Sequence, residues 1–157
     1  MKENELDALV SRIQGEVFQE ARNVLGKKGF DRWRNPRFCG PMAQADGYAR
    51  LKGECGDTME MYLKIAGERV VDVSYVTDGC SSSSIAGSFA AELATGKDFG
   101  EILDMKGSDV LAYIGHFPEQ EEHCAHLAVR TLQEALNGYL VAQARAVREQ
   151  KGELKKV

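Results

Sequence analysis

The chain has 157 residues, of which 43% are hydrophobic and 28% are charged, and its formal net charge at pH 7 is −4. This length and composition predict one compact globular domain and exclude a chain that is disordered over most of its length. The acidic balance argues against nucleic-acid binding, which needs a basic face, and no apolar run of about 18 residues predicts a membrane span.

The first predicted element is a helix over residues 4–25, ended by Gly26 and Gly29. Its apolar residues recur at intervals of three or four and form one stripe: Leu6, Leu9, Val10, Ile13, Val17, Ala21 and Val24. Residues 30–41 are predicted to be a loop, because two prolines and a glycine exclude a regular helix or a central strand there.

Three strands are predicted next, over residues 47–53, 58–65 and 69–77. In the second, apolar residues alternate with polar ones, which places Met59, Met61, Leu63 and Ile65 on one face. The third is rich in β-branched residues, namely Val70, Val71, Val73 and Val76. We therefore expect a small antiparallel sheet with one buried face.

The rest of the chain has helical periodicity. A helix is predicted from Ser81, with the serines as its cap and Gly96 at its end. Short helical pieces broken by Gly107 and Gly115 follow, and a long amphipathic helix runs from Cys124 to about Arg148. The predicted fold is α+β: a three-stranded antiparallel sheet packed on one face by helices, with a long carboxyl-terminal helix.

Four cysteines, Cys39, Cys55, Cys80 and Cys124, are the candidates for chemistry. The start of the chain is too acidic and polar to be a signal peptide, so we predict a cytoplasmic protein, whose cysteines are thiols or ligands and not disulfides. No two of them form a CxxC pair. A site that uses several of them must be assembled by the fold.

Three of these cysteines lie where predicted elements begin or end. Cys55 lies between the first two strands, and Cys80 and Cys124 lie at predicted helix starts, where amide groups can lower the pKa of a thiol. Asp57 and His123 add an oxygen and a nitrogen donor beside these sulfurs. Such a mixture of donors suits zinc or iron.

Taken one at a time, the same residues have ordinary structural interpretations. A single cytosolic cysteine is most often a small buried apolar residue, and Asp57 is typical of a turn. We interpret Cys39 as structural or incidental, His123 as either a ligand or an exposed or capping residue, and the acidic run over residues 119–122 as a solvated helix entrance. Spacing alone predicts a metal-binding or thiol-reactive α+β domain.

The ordered motifs around these residues are more specific. They are Asn35-Pro36-Arg37, then Cys55-Gly56-Asp57-Thr58-Met59-Glu60-Met61-Tyr62-Leu63-Lys64, then Thr77-Asp78-Gly79-Cys80 before a helix rich in serine and alanine, and finally His123-Cys124. In this combination, residues 30–142 resemble the NifU/IscU-type iron–sulfur cluster scaffold family.

The resemblance implies a scaffold and carrier, not an enzyme, on which a [2Fe–2S] cluster is built from iron and sulfur and then passed to apo-proteins. It implies that Cys55, Cys80 and Cys124 are the cluster thiolates and that Asp57 and His123 are auxiliary ligands. Cys124 would accept persulfide sulfur from a cysteine desulfurase. The sequence leaves open whether Asp57 or His123 is the fourth ligand, whether zinc occupies the isolated protein, and whether the chain forms a homodimer.

The resemblance also divides the chain and shows one departure. Residues 1–28 are predicted to be a helical extension, 29–150 the scaffold domain and 151–157 a frayed tail. Relatives carry a Leu-Pro-Pro segment, read by a heat-shock-type chaperone, shortly before the His-Cys pair. Here residues 115–122 read Gly-His-Phe-Pro-Glu-Gln-Glu-Glu, which argues against a chaperone interaction.

Two other functions fit parts of the pattern. A zinc-bound sulfur acceptor, acting as a sulfurtransferase partner of a cysteine desulfurase, could use three cysteines with one Asp or His as a tetrahedral site. An interaction domain that has lost the chemistry is disfavoured, because Cys55, Asp57, Cys80, His123 and Cys124 are all present.

Overall fold

The computed structural model describes residues 2–156 and shows the predicted α+β architecture. Met1 and Val157, which belong to the predicted extension and tail, lie outside the described residues. The elements are α1 (Glu3–Arg34), β1 (Gly47–Lys52), β2 (Thr58–Ala66), β3 (Arg69–Thr77), α2 (Ser81–Ala94), α3 (Phe99–Asp104), α4 (Gly107–Ile114), a 3-10 turn (Glu119–Glu121) and α5 (His123–Lys155).

The three strands form one antiparallel sheet in the order β1-β2-β3. The prediction of one buried face in β2 is confirmed by Met59, Met61 and Leu63, which have no exposed surface. Helices α2 and α5 cover this face, with α5 across β1 and β2 and α2 against β3. The sheet therefore fixes the positions of the two helices that begin near Cys80 and Cys124.

The predicted alternation is interrupted by a β-bulge near the β2–β3 turn. Lys64 pairs with Asp72 and Ile65 pairs with Val70, so Val71 has no partner on β2. The extra residue lets both Val70 and Val73 point into the core, while Val71 is 43% exposed. Strict alternation would have placed these two valines on opposite faces of the strand.

Helix α1 differs from the prediction because it continues beyond Gly26. The backbone at Gly26 leaves the helical region (φ 74°, ψ 166°), and helical structure then resumes as far as Arg34. In a straight helix Phe18 and Phe30 would be about 18 Å apart along the axis, yet their ring centroids are 6.2 Å apart. The chain therefore folds back at Gly26, and the irregular loop begins only at Asn35, before Pro36.

Replacing Gly26 with Ala should destabilise the protein. This combination of φ and ψ is restricted to glycine and costs other residues about 1–3 kcal/mol, and an added Cβ would lie 2.8 Å from Cβ of His116. Gly15→Ala is the matched control, since it lies inside the same helix with open space around it and should gain up to about 1 kcal/mol. Urea unfolding measures both free energies; a Gly26→Ala protein as stable as wild type would refute this explanation of the kink.

The apolar stripe of α1 is present but lies mostly outside the core. Its large residues are 44–53% exposed: Leu6, Val10, Ile13, Val17 and Val24. The buried residues of the helix are Leu25, Gly29 and Phe30, on either side of the kink. Helical periodicity therefore predicted the helix correctly but did not identify the surface against which it packs.

The loop after α1 attaches to the free side of β3. The amide of Gly40 donates to the carbonyl of Tyr75 at 2.9 Å, and the amide of Tyr75 donates to the carbonyl of Phe38 at 2.9 Å. Cys39, between these two contacts, forms a parallel bridge with Tyr75. The backbone of residues 38–40 thus continues the sheet beyond its last strand.

Helix α2 begins where predicted, but the serines do not cap it. Cys80 occupies the capping position and makes no side-chain cap hydrogen bond. Ser83 and Ser84 bond instead to Asp57 and to the hydroxyl of Tyr75. The expected close packing is present: a Cβ on Gly87 would lie 2.7 Å from the ring of Tyr75.

The later helices correct two predicted boundaries. Gly107 is the first residue of α4 and does not break a helix, because the break falls at Met105 and Lys106. Gly115 ends α4 as predicted, with φ 90°. Helix α5 extends beyond Arg148 to Lys155. Within residues 2–156, none of these helices combines the length and apolar character that crossing a membrane requires.

Candidate metal centre

Three parts of the chain that are distant in sequence bring donor atoms together. Asp57 lies in the β1–β2 connection, Cys80 directly precedes α2, and Cys124 is the second residue of α5. A carboxylate oxygen of Asp57 and the Sγ atoms of Cys80 and Cys124 all lie within 4.8 Å of one another. These three were predicted as ligands, and the fold places them in one cluster.

Two glycines shape the backbone that presents these groups. Gly56 has φ +90°, in a turn closed by the bond from the amide of Gly53 to the carbonyl of Asp57 at 2.8 Å. At Gly79 the reason is space, because a Cβ would lie 2.5 Å from Oγ of Ser83 and 2.6 Å from Oδ2 of Asp57. Gly56 thus permits a backbone conformation, and Gly79 a close approach, that another residue would prevent.

Ser83 is a site residue that the sequence analysis missed. Its hydroxyl donates to Oδ2 of Asp57 at 2.8 Å and lies 3.4 Å from Sγ of Cys124. The side chain is completely buried. The only sequence signal was the run of serines, which we interpreted as a helix cap. In the structure Ser83 instead holds the carboxylate and the thiol in fixed positions relative to each other.

His123 is oriented by its backbone surroundings. Nδ1 lies 3.1 Å from the carbonyl oxygen of Gln120, which can only accept, so Nδ1 carries the proton. With the proton on Nδ1, the lone pair of Nε2 is available to bind a metal ion. It lies 3.7 Å from Sγ of Cys124 and 3.9 Å from Oε2 of Glu121.

Within the acidic run, which we interpreted as a solvated helix entrance, Glu121 lies close to two cysteine sulfurs. Its Oε2 lies 3.8 Å from Sγ of Cys124 and 4.0 Å from Sγ of Cys80. Donor atoms of Glu121, His123 and Cys124 form a second group within 4.8 Å that shares Cys124 with the first. The sequence spacing does not distinguish Glu121 from the acidic residues beside it. The backbone turn before α5 is what directs its side chain toward the two sulfurs.

The two remaining cysteines lie outside both donor groups. Cys55 is exposed in the same connection as Asp57, and Cys39 is exposed on the segment beside β3. The fold therefore unites two of the three predicted thiolates, together with Asp57, and leaves Cys55 at the edge. Cys39 lies apart from both groups.

The family assignment follows from comparison with known proteins. The model of the NifU-like N terminal domain matches residues 8–146. The chain belongs to this family. The NifU-like chain is 35% identical over 117 residues to the iron-sulfur cluster assembly scaffold protein IscU 1 of Archaeoglobus fulgidus, covering 74% of this chain and 76% of that protein.

Other relatives agree with the assignment. The scaffold protein IscU of Aquifex aeolicus is 33% identical over 122 residues, which cover 76% of this NifU-like chain and 78% of the relative. The crystal structure of a NifU-like protein from Brucella abortus superposes with a TM-score of 0.60 at 18% identity, covering 76% of this chain and 96% of that one. The structural likeness at this identity shows the shared fold.

The protonation of Cys124 in this NifU-like domain contradicts the sequence-based prediction. The pKa of its thiol is raised to about 12, mainly by burial, with smaller upward contributions from the nearby Cys80 and Glu121, while the hydroxyl of Ser83 acts in the opposite direction. We expected the start of a helix to lower this pKa. Desolvation is the larger effect here, because the Cys124 side chain is only 1% exposed.

Alkylation should show this difference directly. With a folded pKa of about 12, roughly one Cys124 thiol in 10⁴ is ionised at pH 8, so iodoacetamide should modify it at least about 100-fold more slowly than in the urea-unfolded chain. The rate should rise about tenfold per pH unit from 8 to 11, since the thiolate remains the minor form below its pKa. Mass spectrometry of each cysteine measures the rates; rapid labelling of folded Cys124 at pH 8 would contradict the burial.

Proposed function

We propose that this chain is a scaffold on which a [2Fe–2S] cluster is assembled from iron and desulfurase-derived sulfur and then transferred to apo-proteins. The observation that carries the proposal is the convergence of Asp57, Cys80 and Cys124 from three separate elements in a chain of this family. The relatives from Archaeoglobus fulgidus and Aquifex aeolicus, which are named as scaffolds of this kind, support it.

Sulfur delivery would use Cys124 as the acceptor. Its thiolate attacks the outer sulfur of a persulfide on a cysteine desulfurase, the sulfur–sulfur bond of the donor breaks, and the desulfurase cysteine leaves as a thiolate. Each transferred sulfur then needs two electrons from an external low-potential donor to become sulfide. Because the Cys124 side chain is 1% exposed, the groups packed around its sulfur must move aside during transfer.

The assembled cluster would be held by Cys55, Cys80 and Cys124, with Asp57 or His123 as the fourth ligand. Cys55 is exposed two residues before Asp57, so the turn that presents the carboxylate can also bring the third thiolate to the cluster. Four cysteine ligands are typical of clusters that stay in place. Three cysteines with one oxygen or nitrogen donor suit a cluster that must be released.

Asp57→Ala should slow cluster transfer to an apo-ferredoxin. The carboxylate supplies the weakest attachment in our proposal, and its loss leaves only ligands that exchange more slowly; we expect a rate at least about tenfold lower, equivalent to about 1.4 kcal/mol. Circular dichroism of the recipient's cluster follows the transfer. Asp104→Ala, an exposed carboxylate on α3 outside both donor groups, is the control. Unchanged kinetics in Asp57→Ala would remove this residue from the release step.

One observation favours a second candidate, the zinc-bound sulfur acceptor. Cys55 lies outside the compact group, so the three clustered donors are an oxygen and two sulfurs around space for a single ion. Zinc is commonly held by such a set with its fourth position open. In this case the chain would receive persulfide sulfur without building a cluster.

Anaerobic reconstitution distinguishes the two candidates. Metal-free protein is mixed with ferrous iron, cysteine, a cysteine desulfurase and a reductant, and visible absorption is recorded with iron and sulfide analysis. The scaffold should develop sulfur-to-iron charge-transfer bands with about two irons and two sulfides per site. A colourless product that keeps one tightly bound zinc ion and forms persulfide would support the second candidate instead.

A further inference from the structure

The turn before α5 places a carboxylate at the rim of the donor cluster. Oε2 of Glu121 lies 3.8 Å from Sγ of Cys124, 3.9 Å from Nε2 of His123 and 4.0 Å from Sγ of Cys80. Its side chain is 37% exposed, and each of these three separations is longer than an ordinary N–H···O or O–H···O hydrogen bond. One oxygen thus faces three different metal-binding side chains.

These separations match what a bound ion requires. Bonds of about 2.0–2.3 Å from nitrogen, oxygen or sulfur to a tetrahedral ion place neighbouring donor atoms roughly 3.3–3.8 Å apart. The three separations among Glu121, His123 and Cys124 are 3.7, 3.8 and 3.9 Å. Shifts of a few tenths of an ångström would therefore allow all three to coordinate one ion.

We propose that Glu121 is a metal ligand that, with His123 and Cys124, binds one divalent iron or zinc-type ion at an outer position of the site. The inner position is formed by Asp57, Cys80 and Cys124, and Cys124 belongs to both. An ion could pass from the outer to the inner position without releasing the Cys124 sulfur. This inference rests on the proposed function, because it takes the iron bound at the outer position to be later built into a cluster.

The donor types suit an ion that binds first at the outer position and then moves to the inner one. The outer set offers one carboxylate, one imidazole and one thiolate, whereas the inner set offers two thiolates and one carboxylate. Soft thiolates favour zinc and iron sites more strongly than carboxylates do. The second sulfur, from Cys80, therefore makes the inner position the stronger of the two and sets the direction of movement.

The acidic run contains its own controls. Glu119 and Glu122 lie in the same short stretch and carry the same charge, but neither belongs to a donor group. Glu122 is exposed and lies next to His123 in sequence. A general attraction of cations by the acidic run would involve all of these residues, whereas ligation involves Glu121 alone.

Cobalt(II) titration of the metal-free full chain under anaerobic conditions tests the proposal, because cobalt reports its ligands by visible absorption. In the Asp57→Ala background, where the stronger inner position has lost a ligand, Glu121→Gln should weaken cobalt binding about 10-fold or more, the scale seen when groups supporting a metal site are lost, and Glu122→Gln should leave it within twofold. Asp57→Ala should also retain binding through the outer position. The double variant Asp57→Ala with Glu121→Gln should lose more affinity than the sum of the single effects on a free-energy scale.

Two results would overturn the proposal. In the Asp57→Ala background, cobalt binding that Glu121→Gln leaves unchanged would show that the carboxylate is no ligand, and an equal loss caused by Glu122→Gln would reduce its role to general charge. Unfolding curves confirm that both variants are folded. The proposed function has its own test. It would be wrong if the wild-type protein assembled no cluster in the reconstitution, and that outcome would leave the cobalt comparison unaffected.

Discussion

Cys124→Ser is expected to abolish stable cluster assembly. Cys124 belongs to both donor groups, so its loss removes a thiolate from the inner and outer positions together. In the proposed mechanism it also removes the atom that accepts persulfide sulfur. Serine keeps nearly the same volume, which limits the packing cost at a position that is 1% exposed. We expect less than about a tenth of wild-type charge-transfer absorbance after reconstitution, since soft iron–sulfur sites depend on thiolate ligands.

Cys39→Ser provides the matched control for this variant. It makes the same chemical change at an exposed cysteine that lies outside both donor groups. Its reconstituted absorbance should equal that of wild type. A cluster of normal intensity and lifetime in Cys124→Ser would contradict the ligand assignment, and persulfide found on another cysteine would contradict its role as acceptor.

Leu132→Ala should destabilise the fold by about 2–5 kcal/mol, as large-to-small changes in tightly packed cores do. Leu132 is completely buried in the part of α5 that packs against the sheet and α2. Because α5 also begins with His123 and Cys124, loosening this contact should reduce metal affinity as well as stability. Urea unfolding gives the free energy, and cobalt titration gives the affinity.

Val147→Ala is the control on the same helix. Val147 is 49% exposed, beyond the part of α5 that covers the sheet, so its truncation should change stability by less than about 0.5 kcal/mol. Equal losses of unfolding free energy in the two variants would mean that the packing of α5 does not depend on buried residues such as Leu132.

The sheet and the main helices were predictable because each has its own periodicity. Alternation in β2 and the recurring apolar residues of α2 and α5 are local patterns that burial then enforces. The bulge at Val71 was not predictable, because the extra residue is recognised only by its missing partner on β2. The continuation of α1 past Gly26 was not predictable either, because the segment after the kink folds back against the segment before it, as the contact between Phe18 and Phe30 shows.

The site was predictable in its residue types and less so in its arrangement. Motif resemblance selected Cys55, Asp57, Cys80, His123 and Cys124, and the fold places all of them except Cys55 in two donor groups. The positions of Ser83 and Glu121 beside these donors were missed, because they depend on the path of the backbone around them. The pKa of Cys124 was predicted in the wrong direction, because the sequence shows its position at the start of a helix but not how completely the fold removes it from water.

The attachment of residues 38–40 to β3 has a consequence for association between molecules. A strand at the border of a sheet exposes unpaired amide and carbonyl groups that can recruit a strand from another chain, which is a common origin of aggregation. At Tyr75 both groups are already bonded, to Phe38 and Gly40. Loosening this short segment, for example by proteolysis between Pro36 and Pro41, would expose that border and favour self-association through β3.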